Sequence, residues 1–152
     1  MNIRRVKVVL QNSGVFEVYG NNTHIYNYEN AKDIFLYEIG HNNVECVGLI
    51  CLDSDFKIIN YSNIAIGSIS NVHVSIAQIM RTALLSNASK IMVGHNHPSG
   101  ILNCTQEDIE ITRKIGKAAN LLGISLLDSL VVVSSGEVLS IRERLAKNDV
   151  RL

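Results

Sequence analysis

Residues 90–108 read Lys-Ile-Met-Val-Gly-His-Asn-His-Pro-Ser-Gly-Ile-Leu-Asn-Cys-Thr-Gln-Glu-Asp, and this run decides the fold. Its first five residues, 90–94 (KIMVG), form a short buried strand that feeds directly into His95. His95 and His97 stand two apart at the strand's end, so their imidazoles can point the same way, as alternate strand residues do. Pro98 and Gly100 break the strand and turn the backbone. Thr105 then caps a helix over about 106–122, with Asp108 in its first turn and Gly123 at its end. Two imidazoles and one carboxylate make the three-ligand set of an open catalytic zinc site, with a fourth position for water. Manganese, iron(II) or nickel could take the same donors.

Outward from this run, the chain alternates strands and helices. Residues 75–86 carry apolar side chains at 76, 79, 80, 83 and 84, the period of an amphipathic helix. Upstream, 44–52 (VECVGLICL) is apolar and β-branched enough for a buried strand, and 56–66 returns from a turn at Asp53-Ser54-Asp55. A helix over about 30–40 has Asn30 as its cap, Ala31, Ile34, Phe35 and Ile39 as its stripe, and Gly40 as its stop. Residues 4–10 and 14–19 read as a hairpin around Gln11-Asn12-Ser13-Gly14. Downstream lie a long strand at 124–134, a turn at Ser135-Gly136, a short strand near 137–140 and a terminal helix. Such a mixture gives an α/β sandwich.

Glu45 is a lone acid within an apolar strand. A carboxylate there needs compensation, which a water-activating metal site would supply, and it would serve as the proton acceptor; the plainer alternative is an edge-strand glutamate that reaches solvent. Thr105 offers a hydroxyl for the helix cap, for a developing oxyanion, or for both. Ser99 either supports the site or simply shapes its turn. His73, ahead of a helix, either lines the site or packs, and Cys104 reads as a loop thiol rather than a fourth ligand, because a thiolate would close the water's position.

Composition narrows the classes. The 152 residues fit one compact domain, 47% hydrophobic and 18% charged. Fourteen basic and 14 acidic residues cancel, which removes the usual electrostatic argument for a nucleic-acid partner. There is no secretory signal and no apolar run long enough for a membrane, so the expected setting is cytoplasmic, with Cys46, Cys51 and Cys104 reduced.

The spacing His95-x-His97, seven residues, Thr105-x-x-Asp108, preceded by a distant Glu45, resembles the JAMM (MPN+) metalloprotease motif, H-x-H-x(7)-S-x-x-D. Its context, RTALLSNASKIMVGHNHPSG at 81–100 and EDIEITRKI…LLGISLLDSLVVV at 107–133, is similar to the RadC-like branch of that superfamily over roughly residues 1–145. The resemblance implies a three-layer, cytidine-deaminase-like α/β/α sandwich with a mixed sheet and a zinc ion on His95, His97 and Asp108. It further implies Glu45 as acid/base and a peptide or protein substrate cut at an amide or isopeptide bond. The alternatives it carries are a DNA-repair or mobile-element accessory protein, as monomer or dimer, and a metal-dependent nuclease. Three positions depart from the family pattern: Thr105 replaces its serine, His73-Val74-Ser75 its His-Pro-Arg, and Asp128-Ser129 its Asp-His. The helix-hairpin-helix region common ahead of RadC domains is expected to be missing, which weakens the case for DNA binding.

Overall fold

A computed structural model describes residues 23–66 and 76–147. The expected hairpin over 4–19 and His73 lie outside the described residues.

Helix α1 spans Tyr28–Phe35 and runs on as a wider, π-wound turn over Leu36–Gly40. Strand β1 covers Cys46–Leu52, β2 Ile58–Ile66, α2 Ile76–Leu85, β3 Lys90–Asn96, α3 Gln106–Leu121, β4 Ser125–Val132, β5 Val138–Ser140 and α4 Ile141–Ala146. The five strands form one mixed sheet in the order β2-β1-β3-β4-β5, in which β3 and β4 are parallel and every other neighbouring pair is antiparallel. The parallel pair follows from α3, a crossover long enough to return the chain to the same end of the sheet.

Alternation along the central strands sorts side chains into two cores. Val47, Leu49 and Cys51 of β1 and Ile91 and Val93 of β3 pack with Ile79, Met80 and Ala83 of α2 and Ile115 and Ala119 of α3. Cys46, Ile50, Leu52, Met92, Leu130 and Val132 pack instead with Ala31, Ile34 and Phe35 of α1 and with Ile39. Helices thus cover both faces, giving the three-layer α/β/α sandwich. Burial on both faces explains why β1 reads as an unbroken apolar run. At Gly94 a Cβ would lie 2.5–2.7 Å from the Phe35 ring, so a glycine there lets α1 close onto β3.

Several boundaries differ from expectation. Asn27, not Asn30, caps α1: its side chain accepts from the Asn30 N–H at 3.2 Å, while the Asn30 side chain accepts from the Tyr26 N–H at 3.2 Å. With Asn27 as the cap, the helix begins two residues earlier. β1 starts at Cys46, which puts Glu45 just ahead of the strand rather than within it. The turn after β1 extends to Lys57, because Asp53 Oδ1 accepts from the Asp55 and Lys57 N–H groups at 2.8 and 2.9 Å and Phe56 adopts φ 67°. β3 runs on to Asn96 and so contains His95. The second parallel strand is shorter than 124–134, and Gly123, at φ 72°, makes the left-handed turn out of α3.

At the far side, Asp128 is buried in β4 and ties it to α4. Its carboxylate accepts from Ser129 N–H at 2.7 Å, Arg142 N–H at 3.1 Å and the Ser140 hydroxyl at 2.5 Å. Burial pushes its carboxyl above the ordinary value against the pull of those three bonds. Ser140 in turn caps α4 by accepting from the Glu143 N–H. Among the described residues no helix is long and apolar enough to cross a membrane.

Candidate metal centre

Three pieces of chain meet at one end of the sheet: the entry to β1, the exit of β3 and the first turn of α3. Because β1 and β3 are antiparallel, the start of one lies beside the end of the other. Their register pairs Val47 with His95 and, continued two residues, sets Glu45 across from His97 on the face that α3 covers. The parallel β3–β4 arrangement then brings the N-terminus of α3 over the same spot.

His95 Nε2 lies 3.1 Å from His97 Nε2 and 3.2 Å from Asp108 Oδ1, and His97 Nε2 is 3.7 Å from Asp108 Oδ2. His95 and Asp108 are each 3% exposed, whereas His97 is half-buried and Thr105, beside Asp108, is exposed. Glu45 joins on a looser scale: its carboxylate and the two imidazoles offer donor atoms that all lie within 4.8 Å of one another. A Glu45, His95 and His97 group of this kind could hold a metal ion. Zinc bonds of about 2.0–2.2 Å in a tetrahedron place neighbouring donors about 3.3 Å apart, and the separations among His95, His97 and Asp108 bracket that value.

Second contacts aim these donors. His97 Nδ1 is 3.1 Å from the Ile101 carbonyl. A carbonyl can only accept, so Nδ1 carries the proton and Nε2 keeps its lone pair for the cluster. Ser99, expected either to support the site or to shape the turn, accepts from the Ile101 N–H at 3.3 Å and so braces the turn presenting that carbonyl. Thr105 and Asp108 form a reciprocal capping box: Thr105 Oγ1 accepts from Asp108 N–H at 3.1 Å, and Asp108 Oδ2 accepts from Thr105 N–H at 2.8 Å. Burial alone would raise the Asp108 carboxyl, but the His95 hydrogen bond and charge and the two Thr105 bonds outweigh it and hold the group at about 2. It is therefore a carboxylate at neutral pH. The Cys104 thiol stays outside the cluster with Sγ 3.8 Å from the Thr105 carbonyl, and burial followed by the Asp108 charge pushes its pKa up.

One residue here is not singled out by the sequence pattern. Asn96, between the two histidines and 0% exposed, points to the opposite side of β3. It accepts from Cys46 N–H at 2.6 Å and donates to the Asn42 and Val44 carbonyls at 3.1 and 3.0 Å. The available signal was an amide inside an apolar strand, where a polar group must find partners.

The profile of the RadC-like JAB domain family matches residues 25–146. The chain belongs to the RadC-like JAB domain family. It is 35% identical over 111 residues to a UPF0758 protein of Chloroflexus aurantiacus, covering 73% of this chain and 48% of that protein. A UPF0758 protein of Finegoldia magna is 36% identical over 115 residues, 76% of this chain and 51% of the relative. For the UPF0758 protein of Carboxydothermus hydrogenoformans the figures are 32% over 133 residues, 86% and 58%. This RadC-like chain thus spans about half the length of the curated relatives it matches. The JAB fold is related to the JAMM/MPN domains, and in this chain the group of Glu45, His95 and His97 could hold a metal ion.

Proposed function

We propose that the chain is a zinc-dependent metallohydrolase of peptidase or isopeptidase type, with His95, His97 and Asp108 as ligands and Glu45 as acid/base. The observation that carries this reading is the convergence of His95 Nε2, His97 Nε2 and the Asp108 carboxylate at 3.1–3.7 Å, with Glu45 across from His97. Zinc in such a place supplies Lewis acidity, polarising a carbonyl and making water a stronger acid near neutral pH.

The side chains do the rest. Glu45 takes a proton from the attacking water and returns it to the departing amine, which requires a carboxylate within reach of both. The Thr105 hydroxyl spends its lone pair on the Asp108 N–H and retains a proton to donate to the oxyanion. The Ile101 carbonyl keeps His97 in the tautomer that leaves Nε2 facing inward. His95 and Asp108, each only 3% exposed, sit away from bulk water, which strengthens their interactions.

The test begins with elemental analysis of protein purified without added metal. Zinc near one per chain is expected in wild type and in Glu45→Gln and not in Asp108→Ala. Screening against peptide and isopeptide substrates should then give hydrolysis that chelator abolishes, that zinc restores and that Glu45→Gln lacks. A wild type that takes up no zinc even when it is offered overturns the reading.

A further inference from the structure

We infer that Asn96 is the positioning residue that holds Glu45 in place, through the backbone of Asn42–Cys46 rather than by touching the reacting atoms. This rests on the role proposed for Glu45 above.

Glu45 immediately precedes β1, whose first residue is Cys46. The segment leading to it, residues 41–44, is exposed on every residue. Exposed approaches of this kind depend on side-chain anchors to fix their backbone. Asn96 anchors the backbone on both sides of Glu45. Its Oδ1 receives the Cys46 N–H, one residue after Glu45, and its Nδ2 donates to the Val44 carbonyl, one residue before. The second Nδ2 proton goes to the Asn42 carbonyl, two residues further back. One amide thus satisfies one donor and two acceptors that flank Glu45, using all its donors.

Its place in β3 makes the coupling direct. Alternation sends His95 and His97 to one face and Asn96 to the other, so the strand that presents two cluster nitrogens also grips the backbone presenting the carboxylate. A shift of the β3 exit would move all three together. The Cys46 thiol adds a minor contact, accepting from Asn42 Nδ2 at 3.2 Å.

No smaller or isosteric side chain does the same. Alanine loses all three bonds. Aspartate keeps the volume and the acceptor for Cys46 but turns an oxygen, in place of a donor, towards two carbonyls. A residue that merely filled space would leave exchange over 42–46 unchanged on substitution; a positioning residue does not.

The experiment is amide hydrogen exchange on the full chain, followed by NMR. In wild type the Cys46 N–H and the Asn96 side-chain protons should exchange as slowly as amides within β1. A Cys46 N–H exchanging at loop rates overturns the inference without any variant, which keeps it falsifiable if a variant does not fold. In Asn96→Ala and Asn96→Asp alike, exchange over 42–46 should rise by about tenfold or more, the loss of about one net hydrogen bond, while Leu49 and Ile50 are unchanged. Zinc uptake, measured with zinc alone against a chromophoric chelator, should stay at one per chain. Unchanged protection in Asn96→Asp overturns the inference. On any hydrolysed substrate Asn96→Asp should lower kcat with KM held, and Glu45→Gln should cost little more in that background; full additivity of the two overturns it. A wild type without zinc sinks the metallohydrolase, whereas the exchange result judges the Asn96 anchor independently.

Discussion

Replacing Asp128 tests whether a buried carboxylate is the clamp between β4 and α4. Its three accepted hydrogen bonds come from Ser129 N–H, Arg142 N–H and the Ser140 hydroxyl. Asp128→Ala takes this acceptor from the Ser140 hydroxyl and from the Ser129 and Arg142 N–H groups, and an unsatisfied buried donor costs about 1–3 kcal/mol. Allowing for relaxation at the Arg142 end, which is partly solvated, the total is about 3 kcal/mol. For a chain of this size that corresponds to a fall in Tm of about 6–12 °C. Asp128→Asn keeps an oxygen for the two N–H groups and strands only the Ser140 proton, so its cost is about 1 kcal/mol. The pH dependence has a definite sign. Burial raises the folded carboxyl above 3.8, so the folded state holds the proton more tightly than the unfolded one. That contribution is full below pH 3.8 and is lost as pH rises through the folded value. Asparagine does not titrate, so the stability gap between wild type and Asp128→Asn narrows from pH 4 to pH 7. Urea unfolding followed by circular dichroism at both pH values measures this. An Asp128→Ala variant as stable as wild type, or a gap that widens with pH, refutes the clamp.

Two further changes probe the frame of the site. Gly94→Ala drives a methyl group into the Phe35 ring, and overpacking of this kind costs about 1–3 kcal/mol, so thermal unfolding should occur at lower temperature and Phe35→Leu should partly rescue it. Thr105→Val removes the acceptor for Asp108 N–H and should cost about 1 kcal/mol in chemical denaturation, with weakened zinc affinity in chelator competition, whereas Thr105→Ser should match wild type in both; a valine variant indistinguishable from serine would show that the hydroxyl caps nothing.

Much of this was readable from one stretch of sequence. The strand before His95, the turn at Pro98 and Gly100 and the Thr105-x-x-Asp108 cap are all local, and local signals gave β3, α3 and three converging donors with their spacing. The RadC-like JAB family followed from the same residues. Glu45 was harder, because its place depends on the β1–β3 register, a pairing between distant segments that no local pattern encodes. The same holds for the sheet order. The start of α1 differs from expectation because Asn27 and Asn30 offer the same chemistry, and only the bond from Asn30 N–H to the Asn27 side chain decides which one caps. Asn96 went unremarked for a related reason: its partners are 50–54 positions away.

That separation has a consequence for the order in which the centre matures. His95, His97 and Asp108 all lie within residues 95–108, so one strand exit and one helix start suffice to bring them together. Glu45 arrives only when the chain closes a loop of 50 residues onto Asn96, an entropic toll that the β1–β3 ladder must first overcome. On the proposed ligand set, the residues that would hold the metal are thus local in sequence, while the proposed acid/base is remote from them. Under the proposed mechanism, loading and arming would be written into different stretches of the polypeptide, and the second would wait on the tertiary fold.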